Sequence, residues 1–519
     1  MATQAADDHS DEVSEFGYNQ QLDRSIGKFA SFAAGVSYIS ILTGVFQLFY
    51  FGFAFGGPAY WWTWPMVFVG QLMVALSFAE LAANYPVAGS IYNWAKRMGS
   101  ATVAWLGGWM MLTASIVTIA AVALAYQLTL PQIWSFFQFY GDGTGEYDFA
   151  ANAVILGTVL IIFTTVINAL GVKLMSRINS TGVFIELIAA VLLIIVLAAN
   201  ITRGPDVVFD TLGTGDGNSL GYFGAFLAAS LASAYVMYGF DTASSLGEET
   251  MEPRKTAPLA ILRAVIASFV LGGLILLFAI MSVSNINAPE IAAFGGLQFI
   301  ILDVLGNTIG KIFLICVVIA VTVCCLAVHT ATIRMAFAMA RDNNLPGGER
   351  IATIHPVTKT PIVPAVITGV LAIVILVVNI RQPQIFTVIT SIGIIMIYIA
   401  YLLVTVPMLR KRLRGEWPPP DAKQRGFFTL GKLGLPVNVL AVGWGTFMAI
   451  NLIWPRKDVY NATEPFHWYL QYGAILFIGI VFFGGLAYYW FVQRHKTGVL
   501  ASHAFQSSSD AVPDPEPAA

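Results

Sequence analysis

The sequence predicts an all-α integral membrane protein with twelve transmembrane helices, on three observations. Hydrophobic residues make up 57% of the 519 positions and charged residues only 11%, where a water-facing domain carries roughly 25% charged residues. Apolar runs recur along the whole chain, each long enough to cross a hydrocarbon layer about 30 Å thick. The basic residues then fall almost entirely on one side of the scheme that those runs define.

The runs lie at 29–55, 62–84, 103–130, 150–170, 180–199, 222–247, 258–283, 309–332, 362–380, 384–407, 435–454 and 468–492. With the N-terminus inside, Arg203, Lys311, Arg381, Arg456 and Lys457 are the outside basic residues, and the other 22 of the 27 Lys and Arg are inside. This asymmetry predicts cytoplasmic termini on a multi-pass protein of the cell (plasma) membrane. The domain organisation expected is a disordered cytoplasmic tail over 1–28 and a transport core of ten helices over 29–407. A cytoplasmic loop over 408–434, two further helices over 435–492 and a disordered tail over 493–519 complete it. The first 28 residues have no apolar core followed by a small-residue cleavage site, so no cleavable signal peptide is expected. Asn461-Ala462-Thr463 is a sequon on the predicted outer side.

Several function classes are excluded. A net charge of −2 gives no electrostatic footprint for nucleic acid. Cys316, Cys324 and Cys325 share one apolar run, a spacing that builds neither a disulfide framework nor a metal site. No clustered His, Asp and Glu suggest an enzyme, and no P-loop motif suggests an ATP-driven pump. No cofactor or metal is expected. A channel would show continuous polar rings along a pore, whereas the polar positions here are isolated.

Two runs break the apolar pattern near their middles. In the first, Gly35, Ser37, Ser40, Thr43 and Gly44 interrupt F-A-A-G-V-S-Y-I-S-I-L-T-G-V-F; in the sixth, Gly239, Asp241, Thr242, Ser244 and Ser245 interrupt Y-V-M-Y-G-F-D-T-A-S-S-L-G-E-E-T. Glycine and hydroxyl residues also let helices pack closely. Ten helices divided five plus five put these two at corresponding positions, however, and paired broken helices point to a transporter binding site. Half-helix N-termini would offer free N–H groups to a carboxylate, and freed carbonyls would face an ammonium or a cation.

The carboxylates are read against the same frame. Asp241 sits near the middle of its run, where a charge costs about 2.5–3.5 kcal/mol on insertion scales; it is either a ligand for a substrate ammonium, a proton carrier, or a structural hydrogen-bond acceptor. Glu186, in F-I-E-L-I-A-A, is either a coupling-proton site or a carboxylate packed among helices. Glu80 closes the second run, where a structural or gating ion pair is expected. Glu248 and Glu249 end the sixth run and are expected as a solvated helix end facing Arg254 and Lys255. Trp61, Trp62 and Trp64 suggest an interfacial belt. Tyr235 either lids an occupied pocket or packs between helices.

The order of these elements carries a resemblance. After the interrupted first run come E-L-A-A-N-Y-P-V-A-G-S-I-Y-N-W-A (Glu80–Ala95), G-F-D-T-A-S-S-L-G-E-E-T (Gly239–Thr250) and R-M-A-F-A-M-A-R-D-N-N-L-P (Arg334–Pro346). Over about residues 20–495 the chain resembles the amino acid–polyamine–organocation permease superfamily, in its amino acid/choline (GABA permease-like) branch. The resemblance implies a five-plus-five inverted-repeat fold of the leucine-transporter type, with helices 1 and 6 broken and alternating access. It implies that a substrate carboxylate meets the N–H groups of Leu42, Thr43 and Gly44. The ammonium would meet carbonyls of Ile41 and of the stretch Tyr235 to Gly239, which includes Tyr238. Tyr235 matches the family's aromatic gate and Asp241 its acid on helix 6. Proton-coupled relatives often carry a lysine on helix 5 where Glu186 stands here, so the lysine mechanism does not carry over.

The function expected is secondary active transport of an amino acid or an amino-acid-derived amine such as GABA, coupled to protons. A non-transporting nutrient sensor on the same fold and an amine/choline-type exchanger are the alternatives. The partners expected are a small-molecule substrate, H+ and the lipid bilayer. Asp241→Asn is expected to insert normally and to lose most uptake; wild-type rates would remove Asp241 from the site. Glu186→Gln is expected to flatten the pH dependence of transport, and an unchanged profile would mark Glu186 as structural.

Overall fold

Four apolar side chains at helical spacing, Ile155, Val159, Ile162 and Val166, all stand exposed on one stripe of a single helix. Water would not tolerate that stripe; lipid is its natural neighbour. The computed structural model describes residues 13–381, 385–461 and 466–505. Among the described residues ten helices are long and apolar enough to cross a membrane, and two further apolar helices are shorter. Strand-like pairing among the described residues is limited to two isolated bridges, Tyr18 with Ala504 and Ile26 with Thr250.

In chain order, α1 (Lys28–Ile39) and α2 (Ile41–Gly56) share one interrupted span, followed by α3 (Thr63–Asn84) and the short α4 (Ser90–Met98). Next come α5 (Ala101–Ala123), α6 (Ala125–Ile133), α7 (Asp148–Leu170), α8 (Val172–Ala199) and α9 (Gly221–Val236). A single turn, α10 (Thr242–Ser245), precedes α11 (Pro253–Ser282). Then follow α12 (Gly296–Arg341), which leaves helical geometry at Gly306, and α13 (Ile362–Val378). The series closes with α14 (Ile385–Leu413), α15 (Gly434–Ile453) and α16 (Gly473–Gln493). Helix α2 lies against α9, α3 against α11, and α5 against α14, while α12 packs on both α5 and α8. The interrupted elements are therefore interior, enclosed by continuous helices.

Two of the three tryptophans expected as an interfacial belt are used for packing instead. The indole N–H of Trp64 donates to Phe269 O and that of Trp61 to Gly273 O, both at 2.9 Å. These bonds tie α3 and the turn that precedes it to α11, where a solvent-facing belt would leave them separate. Trp62 stays 40% exposed.

The acidic ends of the helices also differ from expectation. Glu248 and Glu249 are fully buried. Glu249 takes a two-point contact from Arg334, at 2.6 and 3.0 Å, and Glu248 pairs with Arg341 at 3.0 Å. Arg254 turns instead to Glu15 at 2.6 Å. The physical reason is that α12 brings two arginines down beside the buried end of the α10 segment, while Lys255 is left in solvent with Glu252. Glu80 matches the expected ion pair. It holds Arg412, the Trp417 indole at 2.8 Å and the Leu430 N–H at 2.9 Å.

Residues 13–27 and 493–505, placed by composition in disordered tails, pack on this same face. Val13, Tyr18, Leu22 and Ile26 are buried. Tyr18 donates to Asp342, which also binds Lys96 at 2.5 Å, and the Arg341 guanidinium lies 3.7 Å from the Tyr18 ring centroid. The chain ends join each other: Asn19 N–H donates to His503 O and Phe505 N–H to Gly17 O. Residues 1–12 and 506–519, and Ala462 and Thr463 of the sequon, lie outside the described residues.

Glu249→Ala would leave Arg334 as an unpaired buried charge. It is expected to destabilise the protein by about 3–5 kcal/mol, read as a lowered melting temperature in detergent. Adding Arg334→Met is expected to recover most of that loss.

Candidate substrate site at two interrupted helices

Backbone groups inside a membrane need partners within the protein, so each interruption can be followed bond by bond. The first is one residue wide. Ser40 adopts φ 37°, ψ 97°, which ends α1 and starts α2 in a new direction. Its own N–H still donates to Val36 O at 2.7 Å. The first N–H groups of α2 are then met one by one. Leu42 N–H donates to Glu186 Oε1 at 3.1 Å, Thr43 N–H to Ser40 Oγ at 3.4 Å, and Gly44 N–H to Ser40 O at 2.9 Å. Ser40 Oγ also lies 2.9 Å from Glu186 Oε1 and 2.6 Å from Thr43 Oγ1. A carboxylate from α8 thus caps the α2 N-terminus, where the partial positive charge of a helix favours an anion.

On the other side of this break, the Tyr38 carbonyl receives the Cys324 thiol of α12 at 3.6 Å, and Ser37 Oγ donates to Asn179 of α8 at 2.7 Å. Ile41 opens α2, where carbonyls enter the helix's own ladder.

The second interruption is wider. After Val236 the chain runs non-helically through Met237 to Asp241 before α10. Gly239 has φ +81°, and a Cβ there would lie 1.8 Å from the Tyr38 ring. Both the backbone conformation and the space restrict this position to glycine. Gly239 N–H donates to Tyr401 Oη of α14 at 2.9 Å, and the same hydroxyl donates to Asp241 Oδ1 at 2.6 Å. Ser90, at the start of α4, donates to Asp241 Oδ2 at 2.7 Å and lies 2.8 Å from Ser245 Oγ.

The two interruptions abut. A Cβ on Gly44 would meet Val236 at 2.7 Å, so α2 and α9 approach at backbone distance. Tyr38 stands edge-on to Tyr238 at 5.9 Å, and Tyr238 to Tyr235 at 5.8 Å. All nine residues singled out from the sequence (Ile41, Leu42, Thr43, Gly44, Glu186, Tyr235, Tyr238, Gly239 and Asp241) are buried. The structure brings Glu186 onto the 40–44 segment and sets Tyr235 and Tyr238 beside Tyr38. Asp241 sits just past the second break with both oxygens committed to α4 and α14.

Four contributors were not foreseen: Tyr38, Ser90, Cys324 and Tyr401. Ser90 lies inside the Glu80–Ala95 motif and Tyr38 inside the interrupted run, so both had a signal. Cys324 and Tyr401 sit in uniformly apolar runs and had none. Among the described residues no group of three or more His, Cys, Asp and Glu is placed to hold a metal.

A family model described as amino acid permease matches residues 26–483. The chain is 27% identical over 504 residues to the amino-acid permease BAT1 of Arabidopsis thaliana, covering 93% of this chain and 94% of that protein. It is 27% identical over 489 residues to the BAT1 homolog of Oryza sativa subsp. japonica, covering 86% and 89%. It is 28% identical over 362 residues to the branched-chain amino acid permease BcaP of Bacillus subtilis, covering 66% and 72%.

Tyr401→Phe removes the hydroxyl that serves both Gly239 and Asp241. It is expected to destabilise the fold by about 1–3 kcal/mol, the desolvation loss of stranded buried groups, and to reduce uptake more than expression; thermal unfolding and transport assays on the same preparation check both.

Proposed function

This chain belongs to the amino acid permease family, a family of membrane transporters and not of enzymes, and from that premise we propose a specific mode of action. The protein is a secondary active transporter. It carries an amino acid, or an amino-acid-derived amine such as GABA, across the plasma membrane by alternating access, with proton coupling.

The observation that carries this reading is the abutment of two interrupted helices, with Gly239 of one seated on the Tyr38 ring of the other. Peptide groups that leave a helical ladder inside a membrane protein are the usual means of holding a small charged solute at mid-depth. The α2 N-terminus at Leu42, Thr43 and Gly44 would take a carboxylate. The carbonyl-bearing stretch from Tyr235 to Gly239 would take the ammonium, and Tyr235 would cover it. Asp241 acts by positioning the second break through Tyr401 and Ser90.

Twelve crossings follow if α9, continued through its break, and the 17-residue α13 cross as well as the ten longer helices. The interruptions then fall in the first and sixth, as an inverted repeat of two five-helix halves requires. The face where the chain ends meet carries most of the basic residues, which supports a cytoplasmic position for it. Glu186 supports proton coupling: it is a buried carboxylate reaching into the first break and, among the described residues, joins no ion pair. BcaP of Bacillus subtilis is named for branched-chain amino acids, which supports amino acids as the substrate class.

A panel of radiolabelled amino acids and amines tested in proteoliposomes, with a proton or a sodium gradient imposed in turn, examines this. Accumulation of an amino acid or amine under an inward proton gradient, abolished by a protonophore, is the expected result. Tight binding without uptake under either gradient would favour a sensor. Gradient-independent uptake stimulated by substrate on the far side would favour an exchanger.

A further inference from the structure

The anion seat at the first interruption is already filled by the protein itself. Glu186 Oε1 takes the Leu42 N–H and lies within hydrogen-bond distance of Ser40 Oγ, while Ser40 serves the N–H groups of Thr43 and Gly44. The second oxygen, Oε2, is buried and has no hydrogen-bond partner among the described residues. The groups facing this carboxyl are the N–H groups of Ile41 and Leu42 and the hydroxyls of Ser40 and Thr43 on the interrupted span, and the thiol of Cys324 on α12. No cationic side chain is set against it among the described residues.

We propose that Glu186 is a resident stand-in for the substrate's carboxylate. It caps α2 while the site is empty and yields that helix end when an amino acid arrives. The inference rests on the reading that Leu42, Thr43 and Gly44 receive the substrate's carboxylate.

Its consequences follow from charge alone. One helix N-terminus carries about half a positive charge, enough to favour one carboxylate. Two carboxylates crowded at one site cannot both stay ionised at little cost. An incoming amino acid therefore brings one proton from solution onto the displaced Glu186 carboxyl, and no covalent bond of the substrate changes. The open Oε2 is the atom left to receive it. A ligand that has an amine but no carboxylate makes no claim on the α2 end and leaves Glu186 seated with its proton count unchanged. One side chain thereby sets the preference for amino acids over their decarboxylated amines and ties that preference to proton uptake.

The test uses full-length protein in lipid nanodiscs. It measures calorimetric binding of one amino acid and of its own decarboxylated amine in two buffers of different ionisation enthalpy. Wild-type protein is expected to take up about one proton per amino acid bound and none with the amine. Glu186→Gln, which keeps the shape and an acceptor oxygen, is expected to abolish that proton uptake. It is also expected to lower Kd for the amino acid about tenfold while leaving the amine within about twofold. Glu186→Ala, which opens the helix end outright, is expected to show the same selectivity if the Gln variant folds poorly. Undiminished proton uptake in the variants, or equal weakening of both ligands, would overturn the proposal and make Glu186 a structural cap. Wild-type protein that binds the amine but no amino acid would also overturn it, because the seat is then never vacated. Wild-type protein that binds neither class would overturn the transport reading itself.

Discussion

A peptide group inside a lipid-embedded protein has to find its partner within the chain, and everything specific about this molecule follows from where the regular helical partner is withheld. The ladder fails at Ser40 and again between Met237 and Asp241. Each failure is repaired in part. A carboxylate from α8 and a serine side chain repair the first; a tyrosine hydroxyl from α14 repairs the second. The carboxylate and the tyrosine come from helices that are otherwise continuous. The interrupted pair is thereby wired to a rigid frame at two points, and a change in either repair must be felt by the frame.

The two repairs differ in kind. The Tyr401–Asp241–Ser90 set is a closed circuit: each carboxylate oxygen has its donor, and the circuit joins α14, the second break and α4. The Glu186 set is half open, with one oxygen engaged and the other without a partner among the described residues. A closed circuit suits a hinge that must return to the same geometry. A half-open one suits a group that changes partners. The same division recurs at the face carrying the chain ends. Glu249 and Arg334 are matched at two points in full burial, and Glu80 collects three donors, so that face is held by charges whose separation in a dry interior would be expensive.

Much of the architecture was legible because its signals are local. Apolar runs report the membrane-length helices directly. Glycine and hydroxyl clusters within two of those runs mark both interruptions to within a few residues. What was hidden depends on distance along the chain. Glu248 and Glu249 were assigned to Arg254 and Lys255 because those are near in sequence, whereas their true partners lie 93 and 85 residues away. Tyr401 stands in a run of apolar residues with nothing to distinguish it from a packing tyrosine. The terminal segments were misread because a polar average conceals a few anchoring side chains, Tyr18, Leu22 and Ile26 among them.

The separation between Asp241 and its tyrosine has a consequence for biogenesis. The donor that satisfies Asp241 is encoded 160 residues after it, which is about 8–32 s of ribosome travel at ordinary synthesis rates. For that interval the nascent segment around Asp241 carries an acidic side chain and an unmatched amide with no native mate yet made. The insertion machinery has to shelter it beside water or beside earlier helices, with Ser90 already available, until α14 emerges and closes the joint.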